Sequence, residues 1–334
     1  WHCIQGLEGA CALPGASGHP GDLPGQSRCL KMGKSDRRSV IVAGAGAFGG
    51  WAALHLQQSG YRVTLLDPHG PGNPLSSSGG ESRVIRHVYR SRRYVRMTAR
   101  SLEIWKRADR DWGERLFHEK GVLFMSRGGE FLDEAAHHMA TEGVAFEWLQ
   151  HDDLASRFPQ IDTSGIQSAL LEPGAGYLDA GRACKAVKNK FLAAGGSFLS
   201  TAAKPGPVRH GRMDGVALAD GTVLRADQYL FACGPWLGSM FPGLLGDHLR
   251  VTRQEVYFFR TPEHCMQELN HDLPVWADVG RSLWYGIPGS DGTFKVADDA
   301  RGIVVDPELQ SREPTPSGIC LLYTSDAADD RPRV

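Results

Sequence analysis

The sequence has no excess of either charge. Its 37 Lys and Arg stand against 38 Asp and Glu, a net charge of −1, which removes the electrostatic ground for binding nucleic acid or an anionic membrane surface. No apolar run approaches the roughly 20 residues of a membrane-spanning helix. The 7 cysteines include no C-x-x-C pair, so neither a zinc site nor a disulfide framework is supported. No metal is expected, and reduced thiols point to a cytoplasmic chain. Internal repeats and heptads are missing as well. What remains is a globular composition, 41% hydrophobic and 22% charged over 334 residues, long enough for about two domains.

The two ends lack the patterning of a fold. Residues 1–31 are rich in Gly, Pro, Ser and His, and have no basic stretch leading into an apolar core, so they are not a secretory signal. Met32 lies just ahead of the first apolar strand and is expected to be the start, with 1–38 a leader outside the fold. At the other end, Cys320-Leu-Leu-Tyr-Thr-Ser-Asp-Ala-Ala-Asp-Asp resembles a translated sequencing adapter. Native sequence is expected to stop near Ile319, leaving 320–334 as a non-native tail.

The centre of the chain's organisation is Ser39-Val-Ile-Val-Ala-Gly-Ala-Gly-Ala-Phe-Gly, running on to Leu65-Leu66-Asp67. Val40–Ala43 reads as a buried strand, Ala47–Gln58 as a helix and Val63–Leu66 as a second strand. Between them Gly44, Gly46 and Gly49 have G-x-G-x-x-G spacing. Gly44 permits the tight turn, Gly46 a close approach of pyrophosphate to the backbone, and Gly49 close packing of helix on strand. The helix N-terminus offers a partial positive charge to phosphates, and Asp67 can accept hydrogen bonds from a ribose. This is a dinucleotide-binding unit, and its glycines do not say which dinucleotide.

Ser76-Ser-Ser-Gly-Gly-Glu-Ser-Arg83-Val-Ile-Arg86-His-Val-Tyr89 comes next. Its small residues allow a flat ligand to approach, and arginines follow three apart. An amphipathic helix is expected from about Arg93 to Glu119, with Met97, Leu102, Trp105, Trp112 and Leu116 as its apolar stripe. Further helices are expected at 130–142, after an Asp152 cap, and from an Asp179 cap to Ala194. Strands are expected at 121–126, 168–172, 197–202, 228–232, 251–260, 275–278, 282–287 and 293–297, with a hairpin at Asp220-Gly221. The run Cys233-Gly234-Pro235-Trp236 reads as a return to the dinucleotide domain.

These residues carry a family resemblance. Val-Ala-Gly-Ala-Gly-Ala-Phe-Gly, Leu-Leu-Asp and the Ser/Gly/Arg block resemble the monomeric sarcosine oxidase and N-methyltryptophan oxidase group of D-amino-acid-oxidase-type flavoproteins. So do Glu172-Pro-Gly-Ala-Gly, Cys233-Gly-Pro-Trp, Arg253-Gln-Glu-Val, Trp284-Tyr-Gly-Ile-Pro and Phe294-Lys-Val. The resemblance spans about 39–310 and implies FAD rather than NAD. It implies an α/β fold, a Rossmann-like FAD-binding domain (39–90 and 175–244) interleaved with a sheet-rich α+β substrate domain (91–174 and 245–319).

Residue roles follow from the same resemblance. Arg86 would pair with the substrate carboxylate, as a planar guanidinium can. Arg83 would lie beside the flavin ring, Tyr285 would border the substrate, and Lys295 would be where oxygen is activated. Gly44, Gly46, Gly49, Asp67, Ser77, Ser78, Arg83 and Gly234 would hold the cofactor. Ser78 and Gly79 replace the group's histidine pair, and Ala297, Asp298 and Asp299 follow the lysine where Gly-Tyr-His is common, so the pocket is more acidic and sarcosine itself is in doubt. Cys320 is not taken as the cysteine that binds FAD covalently in this group, because only loop separates it from Lys295. Cys233 is read as a structural thiol.

The implied activity is FAD-dependent oxidation of a secondary or N-alkyl amino acid by hydride transfer to flavin, with O₂ reduced to H₂O₂ by a monomer. The partners are the small amine and O₂. The alternatives are a flavin dehydrogenase with a non-oxygen acceptor, an NAD-dependent dehydrogenase, and an inactive dinucleotide-binding fragment. With the C-terminal part of the group's pattern missing, FAD is expected to bind weakly and without a covalent bond, and turnover to be poor.

Overall fold

The computed structural model describes residues 37–280 and 283–320. The expected leader, apart from Arg37 and Arg38, and the expected tail beyond Cys320 lie outside the described residues. Strands in chain order are β1 Ser39–Ala43, β2 Arg62–Leu66, β3 Ser82–Ile85, β4 Phe117–Glu119, β5 Val122–Ser126, β6 Glu147–Gln150, β7 Ser168–Glu172, β8 Gly176–Asp179, β9 Ser197–Leu199, β10 Ala203–Pro205, β11 Val208–Arg209, β12 Arg212–Met213, β13 Val216–Leu218, β14 Val223–Leu224, β15 Gln228–Phe231, β16 Val256–Arg260, β17 Val275–Val279, β18 Leu283–Pro288 and β19 Thr293–Asp298. The α-helices are α1 Ala47–Gln58, α2 Arg92–Trp112, α3 Phe131–Thr141, α4 His151–Arg157, α5 Ala180–Ala193 and α6 Leu237–Met240. Among the described residues no helix is long and apolar enough to cross a membrane.

The chain divides into two compact units. One holds the described residues up to Ser77 with Cys184–Val251; the other holds Ser78–Ala183 with the described residues from Thr252 on. In the first unit a parallel sheet has the order β15-β1-β2-β9. β1 is paired on both edges, Ile41 with Thr64 and with Tyr229, and is buried from Val40 to Ala43. A parallel strand covered on both faces reads as an unbroken apolar run rather than an alternating one, as Val-Ile-Val-Ala does. The strand after Asp227 does return to this sheet. Ile41, Leu66 and Val216 form a core with Leu218, Leu224, Tyr229 and Phe231.

In the second unit a seven-stranded sheet has the order β16-β19-β18-β17-β5-β7-β6, and a small sheet the order β3-β8-β4. Only the β17–β5 pair of the larger sheet is parallel; its other pairs are antiparallel. Two apolar clusters build the unit's interior. One includes Phe124, Leu170, Ala277 and Ile287, the other Leu123, Met125, Ala169 and Leu171. Alternate residues of β5 and β7 feed the two clusters, as the strand's period of two requires.

Several elements depart from expectation. The helix expected to reach Glu119 ends at Trp112, where Gly113 takes φ +67° and donates its N–H to Asp109 O. The Asp109 carboxylate then accepts the N–H groups of Leu116 and Phe117 at 3.1 and 3.0 Å, turning the chain into β4. Leu116 is therefore buried beyond the helix, and Met97 is 56% exposed on it. Asp152 lies inside α4, whose N-cap is Gln150. The strand expected from Val251 begins at Val256. The Ser/Gly/Arg block contains a strand, β3, paired with β8.

Candidate functional site

In the first unit the residues expected to hold a dinucleotide gather where β1 gives way to α1. Gly44 has φ +100°, and a Cβ there would lie 2.4 Å from Ala232 O. A Cβ on Gly49 would lie 1.8 Å from Gly44 O. Both positions exclude a side chain, and the helix start can therefore sit directly on the turn. Gly46 is the N-cap, in extended backbone, without a capping side chain, and no acidic residue occupies the first turn. A helix start with no acidic residue in its own first turn has a chemistry that fits a pyrophosphate.

Asp67 follows β2 and is 9% exposed. Its Oδ2 accepts the Ala45 N–H at 2.8 Å and its Oδ1 the His69 N–H at 2.9 Å. The carboxylate braces the glycine turn and keeps lone pairs for a ribose hydroxyl. Cys233 donates its Sγ–H to Ala43 O at 3.3 Å. Burial, with the Asp67 charge second, pushes its thiol up to about 11, so it is a structural group rather than a nucleophile. Gly234, at φ +53°, opens the turn Gly234–Trp236 with nothing within 4 Å of a Cβ position. Ser77, exposed, closes this unit's first segment.

In the second unit three of the sequence-selected side chains converge. Lys295 is 4% exposed on β19. It pairs with Ile287 of β18, while Tyr285 pairs with Ala297, and directly opposed residues share a face. Lys295 therefore points the same way as Tyr285 and Ile287, into a buried layer. Its Nζ lies 5.7 Å from the Tyr285 ring centre and donates to Ser82 O at 3.3 Å. Arg83 donates its Nη1 to the same oxygen at 2.8 Å. Two cations thus meet at one carbonyl. Burial first, and the Arg83 charge second, lower Lys295 to about 7, with Glu81 opposing. Burial raises the Tyr285 phenol, against the Arg83 charge. Such a cluster favours an anion or developing negative charge beside it.

Arg86, just past β3, is held differently. Its guanidinium donates to Val88 O and lies over Tyr89 and Phe124, 4.1 and 5.1 Å from their ring centres. Ser78, half-buried, begins this unit. Sequence reasoning missed Ser82, whose backbone oxygen gathers the cations, and the role of Glu172, whose buried carboxylate holds His87 and Val88. The Glu-Pro-Gly turn carried the only hint of the second. Among the described residues no group of three or more His, Cys, Asp or Glu is placed to hold a metal ion.

The chain is similar to a monomeric sarcosine oxidase of Bacillus sp. (strain B-0618), 27% identical over 288 residues, covering 82% of this chain and 71% of that one. It is similar to an N-methyl-L-tryptophan oxidase of Yersinia pestis (strain Pestoides F), 24% identical over 276 residues, covering 82% and 73%. Its fold is that of the crystal structure of L-proline dehydrogenase from P. horikoshii, with a TM-score of 0.73 at 18% identity, over 87% of this chain and 76% of that one. The family description "FAD dependent oxidoreductase" matches residues 39–325, taking in both the glycine turn and the strands that carry Arg83, Tyr285 and Lys295. With most of its length matched, the chain belongs to the family of FAD dependent oxidoreductases.

Proposed function

We propose that the protein oxidises the C–N bond of a secondary or N-alkyl amino acid and uses O₂ as its electron acceptor. The observation that carries this reading is the convergence of buried Lys295 and half-buried Arg83 on Ser82 O, close to the Tyr285 ring. Lys295 is buried and Arg83 half-buried, and a negative charge arriving nearby favours the protonated lysine and is stabilised by both groups. The names of the relatives, a sarcosine oxidase and an N-methyl-L-tryptophan oxidase, support a substrate with an alkylated amine beside a carboxylate.

FAD, when bound, would supply the acceptor for the hydride, and the electron pair with two protons would reduce O₂ to H₂O₂. In the first unit, as the FAD-binding domain, Gly44, Gly46, Gly49, Asp67, Ser77 and Gly234 hold the cofactor; the second unit, which begins at Ser78, is the substrate domain. Arg86 receives the substrate carboxylate in a bidentate pair. Tyr285 borders the substrate and excludes water. Arg83 holds fixed positive charge, and Lys295 in its protonated form stabilises negative charge as oxygen is reduced. The buried lysine argues for this reading over a flavin dehydrogenase with another acceptor.

An oxygen electrode tests the reading with FAD-loaded protein and a panel of N-methyl amino acids. Oxygen uptake with stoichiometric peroxide is expected. Lys295→Met should slow the oxygen-dependent step by about 10²–10³-fold and leave anaerobic flavin reduction near wild type. Reduction of a quinone dye with no oxygen uptake would favour the dehydrogenase.

A further inference from the structure

We infer that Glu172 is a positioning residue for Arg86, acting through the backbone of Val88. Glu172 closes β7 and is 1% exposed. A carboxylate so deeply buried must be satisfied by donors, and its donors come from two consecutive residues. The His87 N–H lies 3.0 Å from Oε1 and 2.9 Å from Oε2. The Val88 N–H donates to Oε1 at 2.9 Å, and His87 Nδ1 lies 2.9 Å from Oε2.

These donors belong to chain that has just left a sheet, since β3 ends at Ile85. With no ladder partner for this stretch, Glu172 fixes its path instead. Val88 is consequently held at both ends, its N–H by Glu172 and its carbonyl by the Arg86 guanidinium. The support under Arg86 comes from the same place. Phe124, below the guanidinium, lies on β5, which pairs with β7 in the register Val122 to Glu172 and Phe124 to Leu170. One pair of strands therefore supplies both the ring on which Arg86 rests and the carboxylate that fixes its backbone acceptor. A bidentate receptor gains from such restraint, because the fork must face its partner squarely.

The inference rests on Arg86 as the carboxylate receptor, and the test separates the two. Ligand-observed NMR measures the affinity of the FAD-loaded protein for acetate and for its uncharged counterpart acetamide. The proteins are wild type, Glu172→Gln, Glu172→Asp, Arg86→Met and the double variant Glu172→Gln/Arg86→Met. Glutamine keeps one accepting oxygen but removes the charge and sets an NH₂ group against the His87 N–H that the second oxygen accepts. Glu172→Gln should therefore weaken acetate binding by about tenfold, and Glu172→Asp, which keeps the charge but retracts it, by about threefold. Acetamide binding should hold in both, and Glu172→Gln should cost nothing more once Arg86 is gone.

Unchanged acetate affinity in both Glu172 variants, with loss in Arg86→Met, overturns the positioning role and leaves the receptor standing. Equal loss of acetate and acetamide, or the same loss with and without Arg86, assigns Glu172 a general structural role and also overturns it. Full acetate affinity in Arg86→Met removes the receptor, and the inference with it. Should Glu172→Gln not fold, Glu172→Asp carries the same comparison.

Discussion

Lys295 lies on the buried face of β19, where its neighbours in register are Ile287 and, one step along, the Tyr285–Ala297 pair. Placement in that buried layer sets its chemistry. Its ammonium form is lowered from 10.5 to about 7, so between about pH 7 and 10.5 the unfolded chain binds a proton that the folded chain does not. Stability should therefore rise with pH through that window, and the full cost of the buried charge is present below it. That cost is of order 3–5 kcal/mol. Lys295→Met should be more stable than wild type at pH 6, and the difference should shrink as pH approaches 10, measured by denaturant unfolding of FAD-free protein. A constant difference across the range would contradict the burial argument. Cys233 shows the same logic with a neutral outcome. With its thiol near 11, about one in a thousand molecules carries the thiolate at pH 8. Iodoacetamide mapping of native protein should label exposed Cys320 and leave Cys233 unmodified.

At the scale of elements, the β1–α1–β2 unit was legible because most of its parts have a local cause. A doubly covered parallel strand reads as a continuous apolar run, and Gly49 is forced by Gly44 O five residues away, whereas the contact that excludes a side chain at Gly44 is with distant Ala232. Gly49→Ala places a methyl against Gly44 O. It should cost about 1–3 kcal/mol of stability and abolish retention of FAD on desalting; wild-type retention would show that the helix can shift without loss of the cradle. The end of α2 was not legible, because it depends on Asp109 reaching forward to Leu116 and Phe117. The short strands β3, β4 and β8 were hidden for a similar reason. They have three or four residues each, and their pairing is long-range. Glu172 was the hardest to find, since the backbone it holds lies 85 positions away in the chain. Gly44, Gly46 and Gly49 could be named from spacing. The gathering of Arg83, Tyr285 and Lys295 could be expected only through family resemblance.

Over the whole molecule, the chain passes between its two units at 77–78, 183–184 and 251–252. Neither unit is a continuous segment, and a cut at any one boundary separates residues that fold together. The resemblance carried by the Ser/Gly/Arg block is borne out by a family match over 39–325, which motifs confined to the first strands could not have secured. The amine-oxidising assignment asks more than the family does: a secondary amino acid must give its electrons to bound flavin. The most direct measurement mixes FAD-loaded protein anaerobically with an excess of an N-methyl amino acid and follows the flavin's visible absorbance. The account predicts bleaching by at least one N-methyl amino acid, weakened in Arg86→Met, and recovery of colour with formation of peroxide when air is admitted. Flavin that stays oxidised with every secondary amino acid, yet is bleached by NADH, would contradict it.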